Sequence, residues 1–479
     1  MAIFFLINFK FPQYAPWNDI RLTYGIMVLS LVFFLLNLIF YYPFDFSRHG
    51  EVAALVFTNN LAFALLLVFI FLIFREIFES DWWGAFGVVG AVTFSSFLFW
   101  SGNAKDHMFS FLFIAIAAYF FIMYSKREDY LYLISSFIAI GWLAWVRPEL
   151  GFGIFAGFVV ATIIVAFDKG WRYAMKSLGC CFSVLIGALP LFLNNYGLMG
   201  NPLRFPSDMI TKAGTTATTL TTTQTSGFAG LTMHIQSMFR IPPESVPHLP
   251  GMLFGVFIHP NPRFSAGIVQ VSPISVFAFL LFPILVYYFI RKIATPYSRK
   301  DLNIIVFASV LLVSIFITYM QSLPWISNNI GQVPDMRYLA PAYLPLIILG
   351  FFALKMVHFD EKTIKKTLKW FLRLAVIVMP LLYLVYQFLW ATSLAHQLTA
   401  NFWTTYLILL ITVIIFLLVL FKKVDVQNLA LPLAGLMVSA FSWELIVDFR
   451  FSKFGFGTYT FWLPLVEQLW KFQAVILHI

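Results

Sequence analysis

Residues 53–74 read AALVFTNNLAFALLLVFIFLIF, a run that contains no charged side chain. About 20 consecutive apolar residues in a helix cross the hydrocarbon core of a bilayer, so this run predicts a transmembrane helix. The apolar residues are continuous and do not alternate with polar ones, which excludes a strand of a membrane β-barrel. The rest of the chain repeats this pattern.

Composition places the whole chain in the same class. Of 479 residues, 61% are hydrophobic and 11% are charged, and Phe alone occupies 58 positions. A soluble domain has roughly 25% charged residues, so a soluble enzyme, a nucleic-acid-binding domain and a disulfide-rich secreted module are excluded. The net charge of +10 lies in short loops between apolar runs. Cytoplasmic loops of membrane proteins collect Lys and Arg, and no nucleic-acid partner is needed to explain the charge.

The apolar runs predict an all-α fold, a polytopic transmembrane helical bundle of about 13–14 spans. Charged or Pro/Gly-rich breaks separate the runs. The last run contains Pro464 and Glu467 and is the weakest match to a span. The predicted limits are 22–43, 53–74, 84–101, 107–124, 130–146, 150–167, 174–193, 268–290, 302–321, 339–357, 370–390, 402–421, 429–447 and 456–470.

Loop lengths predict three regions: an N-terminal membrane module at 1–193, a Pro/Gly/Thr-rich loop at 194–266, and a C-terminal membrane module at 267–479. With the N-terminus in the cytoplasm, the cytoplasmic side holds about twice as many Lys and Arg residues as the other side. This bias predicts a cytoplasmic N-terminus and an external main loop. The segment Lys362–Arg373 is predicted to be a basic interfacial helix that contacts anionic lipid heads.

The remaining short features carry little chemistry. Met1–Pro16 is interpreted as an interfacial segment and not as a signal peptide, because no small-residue cleavage site follows it. Cys180 and Cys181 are neighbours in an apolar run and are predicted to be packed thiols. With no further Cys, a structural zinc site built on thiolates is excluded.

Charged residues at the predicted external ends of spans form four short clusters. Lipid excludes such groups unless they are paired or functional. If the four turns converge, they form an external pocket with carboxylates, cations and an imidazole, the groups needed to hold a phosphate and move a proton. The clusters are Asp45, Arg48, His49 and Glu51; Lys105, Asp106 and His107; Arg147 and Glu149; and Asp335, Arg337 and Tyr338.

Each cluster also has a structural interpretation. Asp45 and Glu51 would then solvate a short turn, and Lys105 and Asp106 would form an exposed ion pair of small energy. Glu149, directly after Pro148, suits the first turn of a helix. A long Arg side chain can reach the interface from a span end. A metal site is not indicated, because the His residues lack local ligand spacing, although a divalent metal stays possible.

In their order along the chain, five stretches resemble segments of the GT-C superfamily of polytopic glycosyltransferases, which includes protein O-mannosyltransferases and lipid A aminoarabinose transferases. They are FWSGNAKDHMFSFLFIAIAAYFF (99–121), GWLAWVRPELGFGIF (141–155), NNYGLMGNPLRFP (194–206), GMLFGVFIHPNPRFSAGIVQVSPISVFAF (251–279) and GQVPDMRYLAPAYLPLIIL (331–349). The resemblance extends from about Asp45 to Gly350.

The resemblance implies sugar transfer from a polyprenyl-phosphate carrier to a protein or glycolipid acceptor at the external membrane face. It implies catalytic roles for Asp45, or failing it Glu51, and for Asp106. The implied substrate-binding residues are Glu51, Lys105, His107, Arg147, Glu149, Arg337 and Tyr338. The first external loop, about Phe44 to Val52, is shorter than the family's, and Asp19 would replace its carboxylate if the first span were misplaced.

Three hypotheses follow. The first is a glycosyltransferase with a lipid-phosphate-linked sugar donor and no certain cofactor. The second is a non-catalytic subunit of a larger membrane assembly with a degenerate GT-C fold, which the short first loop would allow. The third is a lipid-linked-sugar flippase or other transporter, which needs polar residues at mid-membrane. Spans two to six contain few of these, chiefly Asn59 and Asn60.

Overall fold

A computed structural model of the protein describes residues 46–167, 169–203, 243–258, 266–319, 338–385 and 394–452. Every regular element in these ranges is helical. The α-helices are α1 Phe46–Phe78, α2 Asp81–Thr93, α3 Phe97–Ser101, α4 His107–Arg127, α5 Tyr130–Val146, α6 Pro148–Phe167, α7 Trp171–Gly179, α8 Val184–Gly187, α9 Leu189–Met199, α10 Leu249–Phe257, α11 Ile268–Val271, α12 Ile274–Ile290, α13 Arg299–Tyr319, α14 Tyr343–Met356, α15 Glu361–Leu384, α16 Leu394–Leu420 and α17 Ala430–Ser452. Short 3₁₀ helices occupy Cys180–Ser183, Pro243–His248, Ala340–Ala342 and Val426–Leu429.

Length and composition identify the membrane-crossing helices. Within the described ranges, six helices are long and apolar enough to span a bilayer, and a bent pair, Trp171–Gly187 with Leu189–Met199, makes up to seven. Shorter apolar helices such as Tyr130–Val146 and Ile274–Ile290 accompany them. The protein is therefore a multi-pass helical membrane protein, as its composition predicts. The predicted spans 22–43 and 456–470 lie outside the described residues.

Several predicted limits need correction. The run at 84–101 is two helices, because α2 ends at Thr93 and Ser95 accepts a hydrogen bond from the Phe97 N–H through its side chain at 3.2 Å. The run at 174–193 is broken into short helices that bend by 41°. The predicted interfacial helix at 362–373 and the described part of the predicted span at 370–390 belong to one continuous helix, α15, which ends at Leu384. Hydrophobic runs show where apolar residues are, but not where Ser or Pro interrupts the backbone.

Contacts divide the chain into two compact units. The first contains Gly102–Lys105 with the described residues 46–60 and 447–452, and the second contains Leu61–Ser101 and Asp106–Ile446. In the first unit, the Asn59 amide donates hydrogen bonds to the carbonyls of Asn103 and Lys105, the latter at 2.7 Å. The predicted division at residues 193 and 266 stays a prediction.

Aromatic contacts fill the interior of the second unit. The rings of Phe121 and Phe307 stack with centroids 4.3 Å apart and join α4 to α13. Phe86 and Phe351 stack at 4.7 Å and join α2 to α14. Buried rings of this kind contribute large packing areas and a further stabilisation of about 1 kcal/mol per pair. Phe residues therefore face the interior as well as lipid.

Small residues allow α6 and α13 to pack closely. A Cβ atom on Gly153 would lie 1.7 Å from Thr318 Oγ1, and one on Gly157 would lie 2.1 Å from Ser314 Oγ. Helices in membranes associate through such small-residue contacts, because van der Waals packing replaces the hydrophobic effect there. Since Gly153 meets Thr318, the first turns of α6 lie close to Tyr319, the last residue of α13.

Ion pairs gather at one end of the second unit, where α4 ends and α13 begins. Lys126 pairs with Glu79 at 2.9 Å, and Lys169 pairs with Glu128 at 2.8 Å. The hydrogen bond from Lys126 lowers the pKa of Glu79, and the hydrogen bond from Lys169 lowers the pKa of Glu128. This end carries the cations that the sequence predicts to be cytoplasmic. The opposite end carries the candidate site.

Candidate functional site

The turn between α5 and α6 is a single residue, Arg147. Proline disfavours a helical conformation in the residue before it, and Arg147 accordingly has φ −142° and ψ 94° before Pro148. Its N–H donates to the Leu143 carbonyl at 2.8 Å, and its carbonyl accepts from the Gly151 N–H at 2.9 Å. Both helices therefore fix the backbone of Arg147.

Arg147 and Asp106 form a bidentate ion pair. Arg147 Nε donates to Asp106 Oδ2 at 2.7 Å, and Nη2 donates to Oδ1 at 3.0 Å. Asp106 precedes α4, but its side chain makes no capping hydrogen bond. Only 13% of the Arg147 side chain is exposed, against 45% for Asp106. Such bidentate, charge-assisted bonds fix the plane of a guanidinium as well as its position.

His107 extends the pair into the protein. It is the first residue of α4 and is buried, with its ring 4.1 Å from that of Trp100 and 6.3 Å from that of Phe111. Its Nε2 lies 3.2 Å from Arg147 Nη2. A guanidinium can only donate, so Nε2 accepts this hydrogen bond and the imidazole is neutral in this arrangement.

Two phenol rings complete the surroundings of Arg147. The Arg147 Cζ atom lies 5.8 Å from the centre of the Tyr338 ring, within cation–π range. The Tyr338 ring is 5.6 Å from that of Tyr319. Burial acts to lower the pKa of the Arg147 guanidinium, but hydrogen bonds with Asp106 and Tyr319 and the negative charge of Asp106 raise it overall. Arg147 is therefore a fixed positive charge.

The structure thus brings together four of the residues that the sequence predicts, from three separate turns: Asp106, His107, Arg147 and Tyr338. Glu149 is exposed in the first turn of α6 and makes no hydrogen bond or ion pair with another described residue. That position fits its structural interpretation, since a carboxylate there is stabilised by the helix dipole. Lys105 belongs to the first unit.

Three predicted residues cannot be placed. Asp45 and Arg337 lie outside the described residues, as does the side chain of Glu51. Most of the predicted external loop at 194–266, including its Thr tract, lies outside them as well. Their roles stay predictions from the sequence.

Sequence reasoning missed Tyr319 and Trp100. Tyr319 is uncharged and is the last residue of an apolar run. A Tyr at the end of a span is common, because Tyr is enriched at membrane interfaces, so it gave no signal of a site. Trp100 is one of the largest fully buried side chains and supports the His107 ring, although an aromatic residue in so Phe-rich a chain attracts no notice. The sequence feature that could have indicated Trp100 is its position seven residues before His107, in an apolar run that is interrupted by polar residues.

Three of the five N–H groups of Arg147 serve Asp106 and His107. The Tyr319 phenol is a further hydrogen-bond partner of Arg147, so three side chains hold the guanidinium fork. Oxygens of a phosphate suit this fork. Among the residues that the structure describes, no group of three or more His, Cys, Asp or Glu side chains is placed to hold a metal ion.

No family model and no curated protein matches the chain. Among solved structures, the chain is similar to the crystal structure of ArnT from Cupriavidus metallidurans bound to undecaprenyl phosphate. The identity is 14%, the match covers 86% of this chain and 67% of that chain, and the TM-score is 0.42. At this level of similarity, the comparison assigns no role to individual residues.

Proposed function

We propose that the protein is an integral membrane glycosyltransferase that moves a sugar from a polyprenyl-phosphate carrier to an acceptor. The observation that carries the proposal is the buried guanidinium of Arg147, which Asp106 holds in a fixed plane at the ends of membrane helices. A fixed cation at this depth suits a ligand whose tail lies in lipid and whose phosphate lies at the membrane surface. The motif resemblance to GT-C enzymes points to the same ligand.

The reaction needs a cation where the leaving group forms. An acceptor hydroxyl oxygen forms a bond to the anomeric carbon as the bond from that carbon to the phosphate oxygen breaks. The electron pair leaves with polyprenyl phosphate, and the hydroxyl proton passes to a carboxylate base. Direct displacement of this kind inverts the anomeric carbon. Arg147 would stabilise the negative charge that develops on the phosphate, since its guanidinium is already oriented before the substrate arrives.

We propose a positioning role for Asp106 in place of the catalytic role that the sequence predicts. Both of its carboxylate oxygens accept from Arg147, and a carboxylate that is bonded in this way is a weak base. Asp106 then keeps the Arg147 guanidinium in place, and 45% of its own side chain is exposed. The base would be Asp45, or Glu51, as the sequence predicts.

Binding of the lipid phosphate is the first test. The purified protein in nanodiscs is titrated with undecaprenyl phosphate and, separately, with undecaprenol, which lacks the phosphate. We expect tight binding of the phosphate form only, and loss of that preference in Arg147→Gln. Arg75→Gln removes a partly buried cation that pairs with Asp81 at the other end of the unit and is the matched control. Equal binding of both lipids by the wild-type protein would contradict the proposal.

Transfer is the second test. Polyprenyl-phosphate sugars extracted from the host's membranes are supplied with an extract of its glycolipids and membrane proteins as acceptors, and release of polyprenyl phosphate is measured. We expect release with the wild-type protein and at least about 100-fold less with Arg147→Gln. Binding without release under every acceptor condition would refute the enzyme proposal but not the lipid site.

A second candidate function is a non-catalytic subunit of a membrane assembly. The observation in its favour is that Asp106 and Arg147 satisfy each other within one chain, as structural ion pairs do. It predicts stoichiometric partners after gentle solubilisation, and a lower melting temperature in Arg147→Gln with no phosphate-dependent lipid binding to lose. The titration with undecaprenol therefore separates the two candidates.

A further inference from the structure

One face of α15 carries five exposed cations. They are Lys362, Lys365, Lys366, Lys369 and Arg373. With 3.6 residues per turn, these positions fall within an arc of about 100° on one side of the helix. Thr363, Ile364 and Thr367 are buried on the other side, where α15 packs against the rest of the second unit. The cationic face therefore points away from the protein.

The same exposed face becomes apolar one turn later. Val376 is 74% exposed, Ile377 is 61% exposed, and Leu381 and Leu384 follow them at helical spacing. Large apolar side chains with this exposure, in a helix of a multi-pass membrane protein, lie against hydrocarbon. The change between Arg373 and Val376 then marks the level at which lipid headgroups give way to acyl chains.

Tryptophans lie at this level too. Lys365 Nζ is 4.7 Å from the centre of the Trp82 ring, and Arg373 Cζ is 5.3 Å from that of Trp370. Trp concentrates at membrane–water interfaces, because its ring is apolar and its N–H is polar. Two independent observations therefore place the cations among headgroups: the change from cationic to apolar residues along the exposed face, and the position of the Trp residues.

The nearby carboxylates do not neutralise these cations. Glu361 lies 3.9 Å from Lys365 and accepts a hydrogen bond from Ser80, while Asp360 caps α15 through Thr363. Asp81, on the neighbouring helix α2, pairs with Arg75. Among the described residues, no carboxylate pairs with Lys362, Lys366, Lys369 or Arg373. These four exposed cations therefore keep a positive charge that attracts anionic groups.

We propose that this cationic face of α15 is a binding site for anionic phospholipids, whose phosphates lie against Lys366, Lys369 and Arg373 and whose acyl chains lie along Val376 and Ile377. The apolar continuation selects a lipid over a soluble phosphate, because both parts of the molecule find a partner on one helix. The site lies at the opposite end of the second unit from Arg147, and it stands whether or not the protein is a glycosyltransferase.

The test compares two triple variants with equal loss of charge. Lys366→Gln/Lys369→Gln/Arg373→Gln removes cations of the face, and Lys292→Gln/Lys422→Gln/Lys423→Gln removes three exposed lysines elsewhere. Each protein, in nanodiscs of phosphatidylcholine with a fraction of phosphatidylglycerol, is released into a native mass spectrometer, and bound lipids are counted. Thermal melting in detergent confirms that each variant is folded, and the double variant Lys366→Gln/Lys369→Gln replaces the triple face variant if that one does not fold. Lys366→Arg/Lys369→Arg, which keeps the charge, should keep the lipid preference.

We expect the ratio of bound phosphatidylglycerol to phosphatidylcholine to fall about tenfold in the face variant and less than about twofold in the control. Excess inorganic phosphate at constant ionic strength should not displace the lipid. An equal fall in both variants would show general attraction and overturn the proposal. Retained preference in the face variant, or displacement by inorganic phosphate, would overturn it as well.

Discussion

Two partly buried ion pairs lie beside opposite ends of α13, and they are built in opposite ways. Near its start, Asp301 pairs with Lys355 at 2.9 Å, with 10% of the Asp side chain exposed and 31% of the Lys side chain. Beside its end, Arg147 pairs with Asp106 at 2.7 Å, and here the cation is the buried partner, at 13% against 45%. The two ion pairs therefore have similar distances but differ in which partner is buried.

The difference lies in what satisfies the buried partner. Asp301 Oδ2 accepts from the N–H and the hydroxyl of Ser298, which caps the helix, and Oδ1 accepts from Lys355. The hydrogen bonds of the Asp301 carboxylate therefore stabilise the start of α13 and its contact with Lys355. Arg147 donates to Asp106 and His107 and also has Tyr319 as a hydrogen-bond partner, and the Asp106 carboxylate is the more exposed group of the pair. A buried cation with an exposed partner is arranged to meet an anion.

The largest effect is expected from Arg147→Lys. The ammonium keeps the charge but cannot form the planar fork with Asp106, and loss of a charged hydrogen bond costs about 2–3 kcal/mol. We expect affinity for undecaprenyl phosphate to fall about 100-fold, with little change in circular dichroism. Lys355→Arg at the other pair should leave lipid affinity unchanged. Similar losses from both variants would erase the distinction between the pairs.

A large effect on stability, without one on binding, is expected from Asp301→Ala. The substitution leaves Lys355 without its carboxylate and removes the cap of α13, and breaking a partly buried pair costs about 3 kcal/mol. Thermal melting in detergent should show a lower midpoint, and undecaprenyl phosphate should still bind to the folded fraction. Loss of specific lipid binding in the folded protein would place Asp301 in the functional site after all.

An intermediate effect is expected from Gly151→Ala, which should change both stability and lipid binding. The added Cβ would lie 2.4 Å from the Ala144 Cα atom, so α5 and α6 must separate beside Arg147. Overpacking of this kind costs about 1–3 kcal/mol, and we expect both melting temperature and lipid affinity to fall. Gly197→Ala, where no atom lies within 4 Å of the new Cβ, is the control. Unchanged affinity would show that the helix spacing does not position Arg147.

The smallest effect is expected from Glu79→Gln. The pKa of Glu79 is lowered by Lys126, so its contribution to stability is present above the ordinary Glu pKa and is lost as the pH falls through the lowered value. Because 80% of its side chain is exposed, the contribution should be below about 0.5 kcal/mol. Melting curves of the two proteins should nearly coincide at neutral pH and converge fully in acid. A large difference at neutral pH would show that exposed pairs at this end matter more than their burial indicates.

Features that depend on neighbours in the chain were predictable. The membrane class follows from apolar content, and the limits of α5 match the predicted 130–146 because charged residues bound a simple apolar run. The break at Arg147 follows from Pro148. By contrast, the predicted span at 84–101 was wrong in detail, since the backbone break after Thr93 depends on a serine side chain that also occurs within intact helices.

The sequence by itself determined that this protein lies in a membrane, where most of its helices run, and at which turns charged residues gather. Hydrophobicity, proline geometry and loop charge act over one or two helical turns, and a single chain displays them. Only the tertiary structure decided that Asp106 pairs with Arg147, that His107 is buried against Trp100, and that Tyr319 joins them. Those contacts depend on which helices pack together, and many pairings of the 31 cations and 21 carboxylates satisfy the same local pattern.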